Sequence, residues 1–158
     1  MASNMNHEIA NEIVELVAKS QSLILATAAP GDATPNASYA PFVEDRGQFF
    51  ILVSGLAKHT ANLIGSRRCH VMFIADEAAS VNVFARKRVS FLCEVDELMR
   101  DHPRSDAILD EMRRRFGPTI DMLRSLPDFR LLGLSPGEGT FVRGFGQAIP
   151  IEGFPLMA

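Results

Sequence analysis

Cysteine is scarce in this chain. Its 158 residues hold two, Cys69 and Cys93, with no Cys-x-x-Cys pair and no zinc-ligand spacing. Two reduced thiols on buried strands are expected. An excess of basic charge is also lacking. The chain carries 16 Lys and Arg against 19 Asp and Glu, a formal net charge of -3. A surface built to coat nucleic acid is strongly basic, so no nucleic-acid partner is expected. No apolar run approaches the roughly 20 residues of a membrane helix. The first 15 residues show no basic segment followed by an apolar one, so no signal peptide is read there. No membrane partner and a cytoplasmic location are the expectations. The histidines His7, His59, His70 and His102 show no metal-ligand spacing, so no metal site is read. Ser54 lacks a G-x-S-x-G elbow, and the glycines at 137, 139, 144 and 146 open no helix. No catalytic residue is legible.

What is present is a core and a strand pattern. Hydrophobic residues make up 47% of the chain, enough for one packed domain over residues 1–158. Residues 1–6 read as a frayed tail. Ile9, Ile13, Leu16 and Val17 recur at helical spacing, which predicts an amphipathic helix over about 7–20. Short apolar runs at 22–28, 36–43, 48–53, 69–75 and 88–95 predict strands, broken by the turn chemistry of Pro30-Gly31-Asp32 and Asp45-Arg46-Gly47. Pro41 points to an edge or a bulge. The run 48–53 is apolar on both faces and is expected to be central. A short helix from Lys58 should end at Gly65. Helical spacing returns over about 101–125, split in two by Gly117-Pro118. The chain closes with strands at 129–134 and 140–151, separated by a turn at Ser135-Pro136-Gly137-Glu138-Gly139. The early connections are too short for parallel crossovers. The fold class is therefore mainly β (β+α), a barrel of antiparallel strands with peripheral helices.

Two segments point to an anionic ligand. Ser54 and Gly55 end a strand, and Lys58 and His59 open the next helix. Free backbone N–H groups and the positive end of a helix dipole converge there. Arg86-Lys87-Arg88, at the start of the fifth strand, is a second basic element.

The blocks Pro35-Asn36-Ala37-Ser38-Tyr39-Ala40-Pro41-Phe42-Val43 and Ser54-Gly55-Leu56-Ala57-Lys58-His59 carry a resemblance. So do Phe84-Ala85-Arg86-Lys87-Arg88 and Gly139-Thr140-Phe141-Val142-Arg143-Gly144-Phe145-Gly146-Gln147-Ala148. Together they resemble the pyridoxamine 5'-phosphate oxidase-like split barrels that bind FMN, and within them the bacterial haem-utilisation branch. The resemblance implies a homodimer of split β-barrels with two sites at the interface, each taking a small-molecule ligand. It implies a cofactor-binding set of Ser38, Tyr39, Ala40, Ser54, Gly55, Lys58, His59, Arg86, Lys87 and Gln147. Residues 54–59 would hold the FMN phosphate with Arg86 and Lys87, and Ser38 to Ala40 would run beside the flavin ring. In haem-utilisation members the iron ligand is a histidine of a C-terminal extension, and no histidine follows His102 here. Asp121 matches the acidic residue that supports that ligand. The leading expectation is therefore an FMN-binding flavoprotein, an oxidoreductase of unstated substrate. A haem-binding or haem-degrading protein and a non-catalytic binding module are the alternatives.

Overall fold

The computed structural model describes residues 6–156, so all but Asn6 of the tail expected at residues 1–6 lies outside the described residues. Helix α1 (His7–Lys19) is capped by the Asn6 side chain, which accepts from the Glu8 amide at 3.1 Å. It buries Ile13, Leu16 and Val17 against the strands.

Eight strands form one sheet: β1 (Ser22–Thr27), β2 (Asn36–Pro41), β3 (Val43–Asp45), β4 (Gln48–Ser54), β5 (Arg68–Ile74), β6 (Arg88–Leu98), β7 (Phe129–Gly144) and β8 (Gln147–Glu152). Their order is β2-β1-β5-β6-β7-β4-β3, with β8 paired to β7, and every pairing is antiparallel. The sheet is of split-barrel type, with β2 brought near β4. Pro41 sits on the terminal strand β2, where its missing N–H costs no ladder bond. The Asp45-Arg46-Gly47 hairpin turns on two residues at positive φ, Arg46 at 52° and Gly47 at 82°.

The inward faces fill with phenylalanine. Phe42, Phe49, Phe73, Phe91 and Phe141 are fully or nearly fully buried. Phe49 and Phe73 meet edge to face at 4.9 Å, and each buried ring contributes about 1.5–3 kcal/mol. Helices α3 (Ser105–Phe116) and α4 (Thr119–Ser125) cover the outer face of β3, β4 and β7. This explains why β4 is apolar on both sides. Phe49, Ile51 and Val53 face the barrel, while Phe50 packs with Ile108, Met112 and Ile120. It lies beside the edge strand β3 rather than centrally.

Besides the strand expected at 140–151, which is instead the β7–β8 hairpin, three boundaries differ from expectation. Helix α2 (Lys58–Ser66) runs through Gly65 and ends at Arg67, which takes the left-handed conformation (φ 56°). Gly65 instead gives room to Pro30, because a Cβ there would stand 3.0 Å from the Pro30 ring. The second helical region starts at Ser105 rather than near Asp101. The third difference is at Pro136-Gly137, which makes no turn. β7 continues through it for 16 residues, Pro136 pairs with Cys93, and the register slips between Phe91 and Cys93. Gly139, expected in that turn, lies inside β7 at a close approach, since a Cβ there would lie 2.3 Å from the Ser90 carbonyl oxygen.

Candidate functional site

The β4 strand delivers Ser54 and Gly55 to the entrance of α2. Register then sets their neighbour. Ser54 pairs with Phe129 at the start of β7, so Asp128 comes alongside. The Gly55 amide donates to the Asp128 carbonyl at 2.6 Å, and the Ser54 hydroxyl donates to Asp128 Oδ2 at 3.2 Å. Ser54 Oγ accepts from the Leu56 amide at 3.2 Å. Two of the donors expected to hold a ligand anion are thus already engaged, and beside them stands a carboxylate.

The next residues remain available. Lys58 is exposed at the first position of α2. His59 is half-buried, and its Nδ1 lies 2.8 Å from the Ser38 hydroxyl oxygen on β2. Burial holds its imidazole below the ordinary histidine range, which favours the neutral ring. The structure therefore joins Ser38 to His59. Tyr39 points outward and is 67% exposed, whereas the Ala40 side chain belongs to the barrel core. Gln147 is exposed at the β7–β8 hairpin, opposite Gly144.

Arg86 and Lys87 lie elsewhere, in an open cleft of about 880 Å³ between α1 and the β5–β6 connection. Residues 54–59 do not line that cleft. Arg86 Nε donates to the Ala75 carbonyl at 2.6 Å, which fixes the guanidinium, and its Nη1 is 3.7 Å from Glu77. Lys87 Nζ is 2.9 Å from Glu12 Oε2 on α1. Arg143 closes on the same carboxylate at 2.7 Å and also bonds Glu8. The Lys87 hydrogen bond holds the Glu12 carboxyl below its usual range, aided by both cations and opposed by burial.

Reading the sequence missed Asp128, Glu12 and Arg143 as neighbours of these segments. The Glu8 and Glu12 spacing along one helical face was the available signal for the second. Asp121 is 2.7 Å from Arg113, bridging α4 and α3. The thiols of Cys69 and Cys93 are free, buried and directly opposite each other on β5 and β6. A hydrogen bond to Cys69, with burial, pushes the Cys93 thiol well up. Among the described residues no cluster of side chains could hold a metal ion, and no helix is long and apolar enough to cross a membrane.

Comparison with known proteins gives this geometry a context. A family model described as pyridoxamine 5'-phosphate oxidase matches residues 9–143. Heme oxygenase HutZ of Vibrio cholerae is 39% identical over 146 residues, covering 92% of this chain and 82% of HutZ. A crystal structure of Vibrio cholerae HutZ, there named a heme storage protein, matches with a TM-score of 0.76 and 34% identity. That match covers 91% of this chain and 94% of the other. Campylobacter jejuni ChuZ matches with a TM-score of 0.84 and 31% identity over 95% of this chain and 61% of its own. This chain therefore spans less than two thirds of ChuZ.

These findings overturn the flavin expectations. Similarity at this level runs to proteins named for heme, which contradicts both FMN as cofactor and an FMN flavoprotein as function. The anion corner read from the sequence is also less open than expected: the Asp128 carboxylate stands beside Ser54, and the Gly55 amide is already bonded. From Ile9 to Arg143 the fold and the sequence agree, and the chain belongs to the pyridoxamine 5'-phosphate oxidase family of split barrels, in the haem-utilisation branch that HutZ represents.

Proposed function

We propose that this protein binds haem and supports its oxidative breakdown in the cytoplasm, as a homodimer. The observation that carries the reading is the 39% identity to heme oxygenase HutZ across 92% of the chain. Two free cysteines suit a reducing compartment.

The residues present fit the ligand. His59 is half-buried, its neutral form is favoured, and its Nδ1 is engaged by Ser38. With the proton on Nδ1, Nε2 would keep its lone pair and could hold the iron of a bound haem. Bound iron supplies the oxygen chemistry. The protein's part is to orient the ring, exclude water and neutralise the propionates. Arg86 and Lys87 are the cations for the last task, by charge-assisted hydrogen bonds. They line a cleft that residues 54–59 do not line, and the proposed dimer would bring the two sets to one ligand. Tyr39 at 67% exposure and Phe84 at 83% are apolar surface suited to that contact. Lys58 and Gln147 stand at its rim in this reading.

Titration with haemin tests the proposal. A saturable, shifted Soret band is expected for the wild type. His59→Ala should weaken binding about tenfold and change the band shape. With ascorbate and air, the wild-type Soret band should decay. Absence of any Soret shift overturns the reading, and tight binding without decay reduces it to storage.

A further inference from the structure

We propose that Glu12 is a built-in stand-in for a ligand carboxylate, occupying Lys87 and Arg143 until a dicarboxylate ligand displaces it. The inference rests on the haem reading above, since the two propionates are the carboxylates in question.

The basic cleft has two kinds of cation. Arg86 is preorganised, because its Nε bond to the Ala75 carbonyl at 2.6 Å sets the plane of the guanidinium. Its nearest carboxylate, Glu77, is 3.7 Å away, beyond hydrogen-bond reach. Lys87 and Arg143 are different. Both bind Glu12, at 2.9 Å and 2.7 Å, and the two Glu12 oxygens are divided between them. That is the arrangement a ligand carboxylate would itself adopt between an ammonium and a guanidinium. The Glu12 side chain is only 18% exposed, whereas Lys87 and Arg143 are 39% and 35% exposed and reach the cleft from the sheet side.

Glu12 is not needed to dock its own helix. Ile13, Leu16 and Val17 are buried in the barrel core and anchor α1 by apolar contact. The acid can therefore leave its cations while the helix stays in place. A ligand with two carboxylates would meet Arg86 first and then exchange with Glu12. Its affinity is set by that competition, and a ligand without carboxylates does not feel it.

The test compares haemin with haemin dimethyl ester, by Soret titration of the wild type, Glu12→Gln and Glu12→Gln/Lys87→Met. Glu12→Gln should bind haemin about threefold more tightly, the scale of a half-exposed ion pair. The gain should vanish in the double variant and with the dimethyl ester. Glu12→Asp, which keeps the charge and withdraws it from Lys87, should show the same gain. Folded single variants that bind haemin no tighter than wild type overturn the proposal alone. So does an equal gain with the ester, or a failure of both single variants to fold. A wild type that takes up no haemin overturns the function reading and this proposal together.

Discussion

Residues 54–59 and residues 86–88 are both short, polar and basic in sequence, yet the fold treats them in opposite ways. The first segment is tied down by backbone and hydroxyl bonds to one loop residue. Gly55 and Ser54 both bond Asp128, and His59 bonds Ser38. The second is fixed at Arg86 by the Ala75 carbonyl, but at Lys87 its side chain is held by charge, through Glu12 on a separate helix. The first is thus a rigid corner of the sheet, and the second is a surface that a competing anion can reopen. A motif's residue types do not say which of its donors remain free; the partners brought by long-range register decide that.

The comparison can be broken at its stiff end first. Gly55→Val places a Cβ 2.8 Å from the Asp128 carbonyl oxygen, so backbone has to move. A loss of about 1–3 kcal/mol is expected in urea denaturation. Asp128→Ala removes the side-chain acceptor of Ser54 but keeps the carbonyl bond to Gly55. It should cost about 1 kcal/mol in the same assay.

At the charged end the effects are smaller and depend on salt. Glu12→Gln without ligand should lose no more than about 1 kcal/mol, and the difference should shrink in high salt. Lys87 and Arg143 are each more than a third exposed, which keeps this figure low.

The smallest effect separates the segments by pH. Burial lowers His59, so the folded protein protonates it later than the unfolded chain does. Stability is full above the imidazole's ordinary 6.5 and declines as pH falls through that region. Glu12 is also held low, by Lys87, so its contribution is full above 4.5 and declines below it. His59→Gln should flatten the upper part of a stability-against-pH curve and leave the lower part. Glu12→Gln should do the reverse. Identical curves for the two variants would erase the distinction drawn here.

Much of the fold was legible because local chemistry and tertiary structure agree. The α1 face, the turns at 30–32 and 45–47, and the helix break at 117–118 follow from periodicity and turn residues. Pro136-Gly137 misled because a turn dipeptide can be carried inside a long strand as that strand's own bulge: β7 runs from Gly139 to Pro136 against Phe91 to Cys93 on β6. Gly65 misled because a helix glycine can answer a neighbouring proline rather than a helix end. In the site, resemblance put Ser38 and His59 in one set, and the structure joins these two side chains at 2.8 Å. Asp128 was invisible, because it reaches Ser54 only through the β4–β7 register, 74 residues away in sequence. The ligand's identity was not legible either. Cations at 86 and 87 suit a phosphate and a propionate equally, and relatives rather than residue types separated them.

The length of β7 has a consequence for how the molecule comes to exist. This one strand pairs with β4, β6 and β8, and it starts at residue 129 of 158. As the chain leaves the ribosome, β4 and β6 have nothing between them until the residues from Phe129 onward emerge. Their facing edges stay open for that interval, and the barrel closes only after β7 has been made. Such late, long-range closure is slow on the scale of helical proteins. It makes the nascent chain, rather than the finished one, the form most exposed to aggregation and most in need of a chaperone.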